Sequence, residues 1–108
     1  AGKLPLWLAP LQAVVLPVAT KFENYAKNIF EQCIKAGINT EVDLKNQKIN
    51  YKIREHSLSK VPLLLVCGQN EVKSKSVTIR KLGSEKQETL TLTQAIKKIS
   101  KQIQFPAN

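Results

Sequence analysis

The sequence predicts an α/β domain: a three-layer α/β/α arrangement with a five-stranded mixed sheet and three helices. Three observations carry that prediction. Apolar segments of strand character alternate along the chain with amphipathic helical stripes. The run Val61–Cys67 is apolar without interruption, as in a central strand covered on both faces. Finally, Val77–Lys81 and Glu88–Leu92 alternate polar with apolar and are joined by about five residues around Gly83, the pattern of a hairpin.

In chain order, Leu6-Trp7-Leu8-Ala9-Pro10 is an apolar lead-in, and Ala13–Val18 is a buried strand closed by Pro17. The clearest helix follows. Phe22, Tyr25, Ala26, Ile29, Phe30, Cys33 and Ile34 recur at helical spacing, and Gly37 stands where a helix stops. Thr40–Leu44 reads as a short strand, and Lys45-Asn46-Gln47 as a polar loop. A second helix covers about Lys48 to Ser59, with Ile49, Ile53 and His56 on one face. Gly68 ends the central strand, and Gln69–Ser76 is a polar stretch without a helical or strand pattern. The last helix runs from about Thr93 to Ile103, its stripe being Leu92, Ala95, Ile96, Ile99 and Ile103. The order β-α-β-α-β-β-β-α implies a mainly parallel sheet with an antiparallel excursion near one edge.

Length and charge bound the function. The 108 residues suit one domain, with a core from about residue 6 to 103, and 43% hydrophobic residues can fill it. The net charge of +9 points to an anionic partner, nucleic acid first and an acidic membrane second. A basic soluble protein with no such partner stays open on composition alone. Cys33 and Cys67 each lie in an apolar run, which predicts buried, reduced thiols. A single histidine and no close cysteine pair predict no zinc site. Leu4 to Ala19 is interrupted by Pro5, Pro10, Pro17 and Gln12, too short and broken for a membrane span. The Ala-Gly start without Met reads as a piece of a longer protein, expected in the cytoplasm or an organelle matrix.

Catalytic signals are weak. The sequence holds no glycine-rich phosphate loop. Glu55-His56 with Cys67 could be imagined as a base and nucleophile, but Cys67 ends a buried strand and His56 lies on an apolar helix face, where a structural histidine is the better reading. The polar positions that cluster lie beyond strand ends: Asn46 after the second strand, and Gln69, Asn70 and Glu71 after the third. Carboxyl ends of open α/β sheets are where ligands bind, and the first amides of the second helix add positive potential beside Asn46. Only two of the 17 Lys and Arg residues are arginine, Arg54 and Arg80, which suggests places where a planar fork of donors matters; leftovers of codon bias stay the alternative on composition alone. Lys21, Lys27, Lys35, Lys97, Lys98 and Lys101 read as solvated helix faces, the last three also able to touch phosphates.

Several blocks together resemble one family. They are Trp7-Leu8-Ala9-Pro10-Leu11-Gln12, Asp43-Leu44-Lys45-Asn46, Lys52-Ile53-Arg54-Glu55-His56, Val61-Pro62, Leu65-Val66-Cys67-Gly68, Glu71-Val72 and Val77-x-x-Arg80. The set is similar to the C-terminal anticodon-binding domain of bacterial-type threonyl-tRNA synthetases, over about Leu6 to Ile103. The resemblance implies binding to the anticodon loop of threonine tRNA, with its second base G and third base U. By it, Asn46, Arg54, Glu71 and Arg80 recognise anticodon bases, and Lys48 and Lys52 contact the tRNA backbone. It also implies no catalysis and no cofactor in this domain. The parent would be an ATP-dependent threonine--tRNA ligase with ATP, magnesium and zinc in its catalytic domain. No DNA or membrane partner is expected; the parent is expected as a homodimer and the piece alone as a monomer. Asn70, where many relatives are basic, and Leu82-Gly83-Ser84-Glu85, less basic than usual, depart from the pattern and put the phosphate contacts in doubt. Three other readings stay open: a stand-alone nucleic-acid-binding module of the same fold, a small α/β enzyme or small-molecule binder, and a basic surface for acidic proteins or lipids.

Overall fold

A computed structural model describes Leu6, residues 9–84 and residues 86–103. Its elements are β1 (Ala13–Pro17), a 3-10 turn (Thr20–Phe22), α1 (Glu23–Lys35), β2 (Thr40–Val42), α2 (Ile49–Leu58), β3 (Leu63–Cys67), α3 (Gln69–Ser74), β4 (Ser76–Lys81), β5 (Gln87–Thr91) and α4 (Leu92–Ile103). The sheet order is β2-β1-β3-β4-β5. β1 runs parallel to β2 and β3, whereas β4 is antiparallel to both β3 and β5. Trp7, Leu8 and Glu85 lie outside the described residues.

The alternation of β1 and β3 divides the core. Ala13, Val15, Leu63, Leu65, Cys67, Val77 and Ile79 pack against Ala26, Ile29 and Cys33 of α1 and Ala95 and Ile99 of α4. Val14, Leu16, Val61 and Leu64 form the opposite cluster, covered by Ile49 and Ile53 of α2. Every residue of β1 is buried, so both its faces need cover. Burying one such aliphatic side chain stabilises the fold by about 1.5–3 kcal/mol, which makes these strands the sheet's anchor.

Local sequence sets the ends. Gly37 (φ 82°) follows α1 in the left-handed region. Behind it the N–H of Ile38 donates to the Cys33 carbonyl at 2.9 Å and that of Gly37 to Ile34 at 3.0 Å, a paired closure that buries Ile38. At the start of α4, the N–H of Gln94 donates to Thr91 Oγ1 at 3.3 Å, and the Thr91 N–H donates back to Gln94 Oε1 at 3.4 Å. Gln12 is 8% exposed; its Nε2 donates to the Leu6 carbonyl and its Oε1 accepts the Asn39 N–H, tying the lead-in to the α1–β2 loop.

Three expectations need correction. The stretch after Gly68 is not irregular but forms α3, so the sheet carries four helices and not three. Six residues are too few for periodicity to show, and the helix is set by Glu71, whose carboxylate reaches back to the Gly68 N–H at 2.7 Å. Lys75, left-handed at φ 51°, ends it. Ile34, counted in the apolar stripe of α1, is 46% exposed, because it sits at the stripe's margin. On α2 the most buried side chain is Lys52, at 3% exposure.

Lys52 belongs to a clasp that binds α2 to β2. Its ammonium donates to the Asp43 carbonyl at 3.1 Å, and His56 Nε2 lies 2.8 Å from Asp43 Oδ2. The Asp43 side chain is 7% exposed. Burial alone would raise its pKa. The His56 hydrogen bond, the Lys45 N–H and the charges of Lys52 and His56 outweigh burial and leave the pKa below its ordinary 3.8. His56 is thus a partnered structural residue.

Two predictions follow from these contacts. Cys33 and Cys67 are free and buried, and burial pushes their thiols up to about 11 and about 12. A thiol reagent at neutral pH should therefore leave the native chain untouched and titrate both thiols in denaturant without reductant; a count of zero would exclude free thiols. Because Asp43 is depressed in the fold, its stabilising contribution is complete above its ordinary 3.8 and is lost as pH falls through the lower folded value. Asp43→Asn should lower stability at neutral pH and shrink the further loss seen on acidification, measured by urea unfolding. An unchanged acid limb would exclude the clasp.

Candidate nucleic-acid interface

β4 has two sides with opposite fates. Val77 and Ile79 enter the α1/α4 core. Arg80 and Thr78 pair with Leu64 and Val66 across the antiparallel ladder, so they point to the side that α2 covers. However, α2 packs on β1 and β3 and stops short of β4's far flank. On β5, Gln87 lies opposite Arg80 and Thr89 opposite Thr78, and both are exposed. The result is a polar shelf over β4 and β5, exposed along β5 and closed over Thr78, which is 8% exposed, with α2 along one margin and α3 at one end.

Glu71 stands at that end. Its Oε1 accepts the Gly68 N–H at 2.7 Å and its Oε2 the Thr78 hydroxyl at 3.3 Å; Thr78 Oγ1 is itself 2.9 Å from Thr89 Oγ1. The Tyr25 hydroxyl reaches the Glu71 carbonyl at 3.2 Å and the Ser76 carbonyl at 2.7 Å, clamping α3 to the start of β4. Gly68 is needed for closeness, not for an unusual φ. A Cβ there would lie 2.8 Å from Val18 Cγ2 and 3.3 Å from Glu71 Oε1. A carboxylate has more acceptor sites than these two donors fill, so Glu71 can still take a donor from a ligand.

Arg80 lines a crevice of about 190 Å³ together with Ser57, Leu64, Leu82, Gly83 and Ser84. At 100° per residue, Arg54 shares the flank of α2 with Ser57, so both arginines border the shelf. Arg54 is exposed and Arg80 half-buried. Asn46 is placed separately. It lines a shallow crevice at the ends of β1 and β2 with Pro17, Thr20, Glu23, Lys45 and Lys52. Lys48 is exposed at the N-cap of α2, whose first turn receives no side-chain cap. Lys52 sits at the floor of the Asn46 crevice, held by Asp43, and is no free surface lysine.

The departures have plain places. Asn70 is exposed in the first turn of α3. Leu82 donates its N–H to the Pro62 carbonyl at 2.9 Å, which ties the hairpin base to the start of β3; Gly83 turns at φ 80°. Sequence reading missed Thr78, Thr89 and Gln87. The signal was available: residues at alternate positions beside Arg80 and their cross-strand partners share its face. Among the described residues, no group of three His, Cys, Asp or Glu could hold a metal ion, and no helix is long and apolar enough to cross a membrane. A larger cavity, about 480 Å³, opens between Pro10, Leu11, Pro62, Leu63 and Leu82, far from Glu71 but adjoining the Arg80 crevice through Leu82.

The chain matches the family model described as anticodon binding domain over residues 12–102. It is 61% identical over 92 residues to the threonine--tRNA ligase of Pelagibacter ubique, a match covering 85% of this chain and 14% of that protein. To the threonine--tRNA ligase of Chelativorans sp. it is 52% identical over 96 residues, covering 89% and 15%. The chain thus spans about one seventh of these curated relatives. Among solved structures, the RNA binding domain of the threonyl-tRNA synthetase of Cryptosporidium parvum Iowa II superposes with a TM-score of 0.89 at 41% identity, over 94% of this chain and 26% of that one. The prolyl-tRNA synthetase of the same organism, at 19% identity and TM-score 0.83 over 92% of this chain and 22% of that one, shares the fold alone. The chain belongs to the anticodon binding domain family, in the form that threonine--tRNA ligases carry.

Proposed function

We propose that this domain grips the anticodon loop of threonine tRNA for a threonine--tRNA ligase and reads its second base, G, and third base, U. One observation carries the reading: the β4–β5 face gathers Arg80 on its own strand, Arg54 on the bordering α2 and the oriented Glu71 carboxylate at its end, in a chain of net charge +9. The chemistry sorts by sign. Arg80 offers paired donors that suit O6 and N7 of guanine, acceptors that an unpaired loop base exposes. Glu71 accepts a proton donor; uracil offers N3–H, whereas cytosine has a lone pair there and would be repelled. Arg54 and Asn46 supply further polar contacts, and exposed Lys48 adds positive charge toward the backbone, whereas Lys52, buried and held by Asp43, acts from beneath the Asn46 crevice and does not touch the RNA. Glu71 gains nothing from a purely electrostatic attraction to phosphates, so its place on the shelf favours base reading over a generic basic surface.

The same proposal places ATP, magnesium and zinc in the catalytic part of the ligase, outside this chain. It takes the parent to be a homodimer and the site of action to be the cytoplasm or an organelle matrix.

Filter binding of threonine tRNA against a non-cognate tRNA at two salt concentrations tests the reading. A preference for threonine tRNA that persists at high salt is expected. Equal binding that collapses with salt would favour a non-specific basic surface. Arg80→Lys should cost roughly 1–3 kcal/mol for the cognate anticodon, while Lys98→Ala, which removes a charge paired with Glu88, should cost far less and act alike on all tRNAs. Untouched cognate binding in Arg80→Lys would remove Arg80 from the site. Glu71→Gln keeps an oxygen for the Gly68 N–H, so the helix cap survives the exchange. It should keep non-specific RNA affinity while losing about 1–3 kcal/mol of preference for U over C at the third base. Equal U/C preference in variant and unaltered chain would refute the base-reading role.

A further inference from the structure

Single-stranded RNA is held by stacking as well as by hydrogen bonds, and the residues above supply only the latter. Aromatic side chains are few here. Tyr25 and Phe30 pack against the main core, and Phe22 lies beneath the Lys21 ammonium, 5.2 Å from its ring centroid. Trp7 and Phe105 lie outside the described residues. Among the described aromatics, Tyr51 alone is not committed to the fold: it is 48% exposed on the outward side of α2. Such an exposed ring has no structural duty on a helix whose core contacts run through Ile49, Lys52 and Ile53.

Its neighbours are specific. Lys48 stands three residues before it and Arg54 three residues after, both adjacent to it on the helix surface and both exposed. The Glu55 carboxylate, one turn on, pushes the Tyr51 pKa above its ordinary 10.0, so the ring stays a neutral phenol at physiological pH. Tyr51 therefore offers a flat, uncharged ring between two cations, on the helix that borders the open shelf. That combination suits a nucleobase on the ring with flanking phosphates on the cations.

We infer that Tyr51 is a stacking platform for one unpaired base of the RNA loop, a contact that adds affinity without reading base identity. The inference rests on the anticodon-loop reading above. The test measures binding of threonine tRNA to the 108-residue chain and its Tyr51→Phe and Tyr51→Ala variants, with Arg80→Lys alongside and circular dichroism to check folding. Tyr51→Phe should bind like the unaltered chain, and Tyr51→Ala should bind about 5- to 150-fold more weakly. The same loss should appear on tRNAs changed at the second or third anticodon base. Replacing loop nucleotides one at a time by abasic ones should reveal one position where the unaltered chain loses affinity and Tyr51→Ala loses nothing further. If Arg80→Lys discriminates as expected while Tyr51→Ala binds normally, or no abasic position couples to Tyr51, this inference is overturned and the anticodon reading stands. If the unaltered chain does not prefer threonine tRNA, both fall.

Discussion

A strand that can neither face water nor leave its backbone unpaired must lie inside a sheet with cover on both sides, and Leu63–Cys67 imposes that condition on the whole chain. β1 satisfies it on one edge in parallel and β4 on the other in antiparallel fashion. The parallel partner demands a crossover helix, which supplies α1 and α2 on opposite faces. The antiparallel partner demands only a short return, so β4 and β5 extend the sheet with α4 on one face and, on the other, only α3 at one end and the margin of α2. The open shelf is thus a by-product of mixed strand direction.

The site gains rigidity from regular structure on every side. Arg80 is set by β4, Arg54 by α2, and Glu71 by three contacts that share no element: the turn at Gly68, the Thr78 hydroxyl and the Tyr25 clamp from α1. Holding a carboxylate in advance limits the side-chain entropy lost when a ligand arrives. Charge is layered too. Lys52, buried under the Asn46 crevice, is neutralised locally through Asp43, whereas the exposed lysines remain free to set the long-range field.

Most of the fold was legible because its long elements obey one period each. The seven-residue apolar run announced β3, the stripe ending at Ile103 announced α4, and alternation announced β4 and its turn. What escaped was short or decided by tertiary contact. α3 has too few residues for a stripe, and its helical state depends on a side chain returning to Gly68. Lys52 looked like surface because lysine usually is, and only the Asp43 carbonyl and the β2 loop make its burial tolerable. For the site, Arg54, Arg80, Glu71 and Asn46 could be named from residue type and resemblance. Their grouping could not, because the split between the β4–β5 shelf and the Asn46 crevice follows from strand register.

Gly68 illustrates how a residue with no side chain can fix the place of another that has one. It lets the Val18 side chain beyond β1 close against the first turn of α3, where an added carbon would lie 2.8 Å from Val18 Cγ2. Any larger residue would have to turn the Val18 side chain aside or displace the Glu71 carboxylate. If Glu71 reads a base as proposed, genetic variation at this codon would masquerade as a defect in decoding fidelity, although the position offers no group that reads a base.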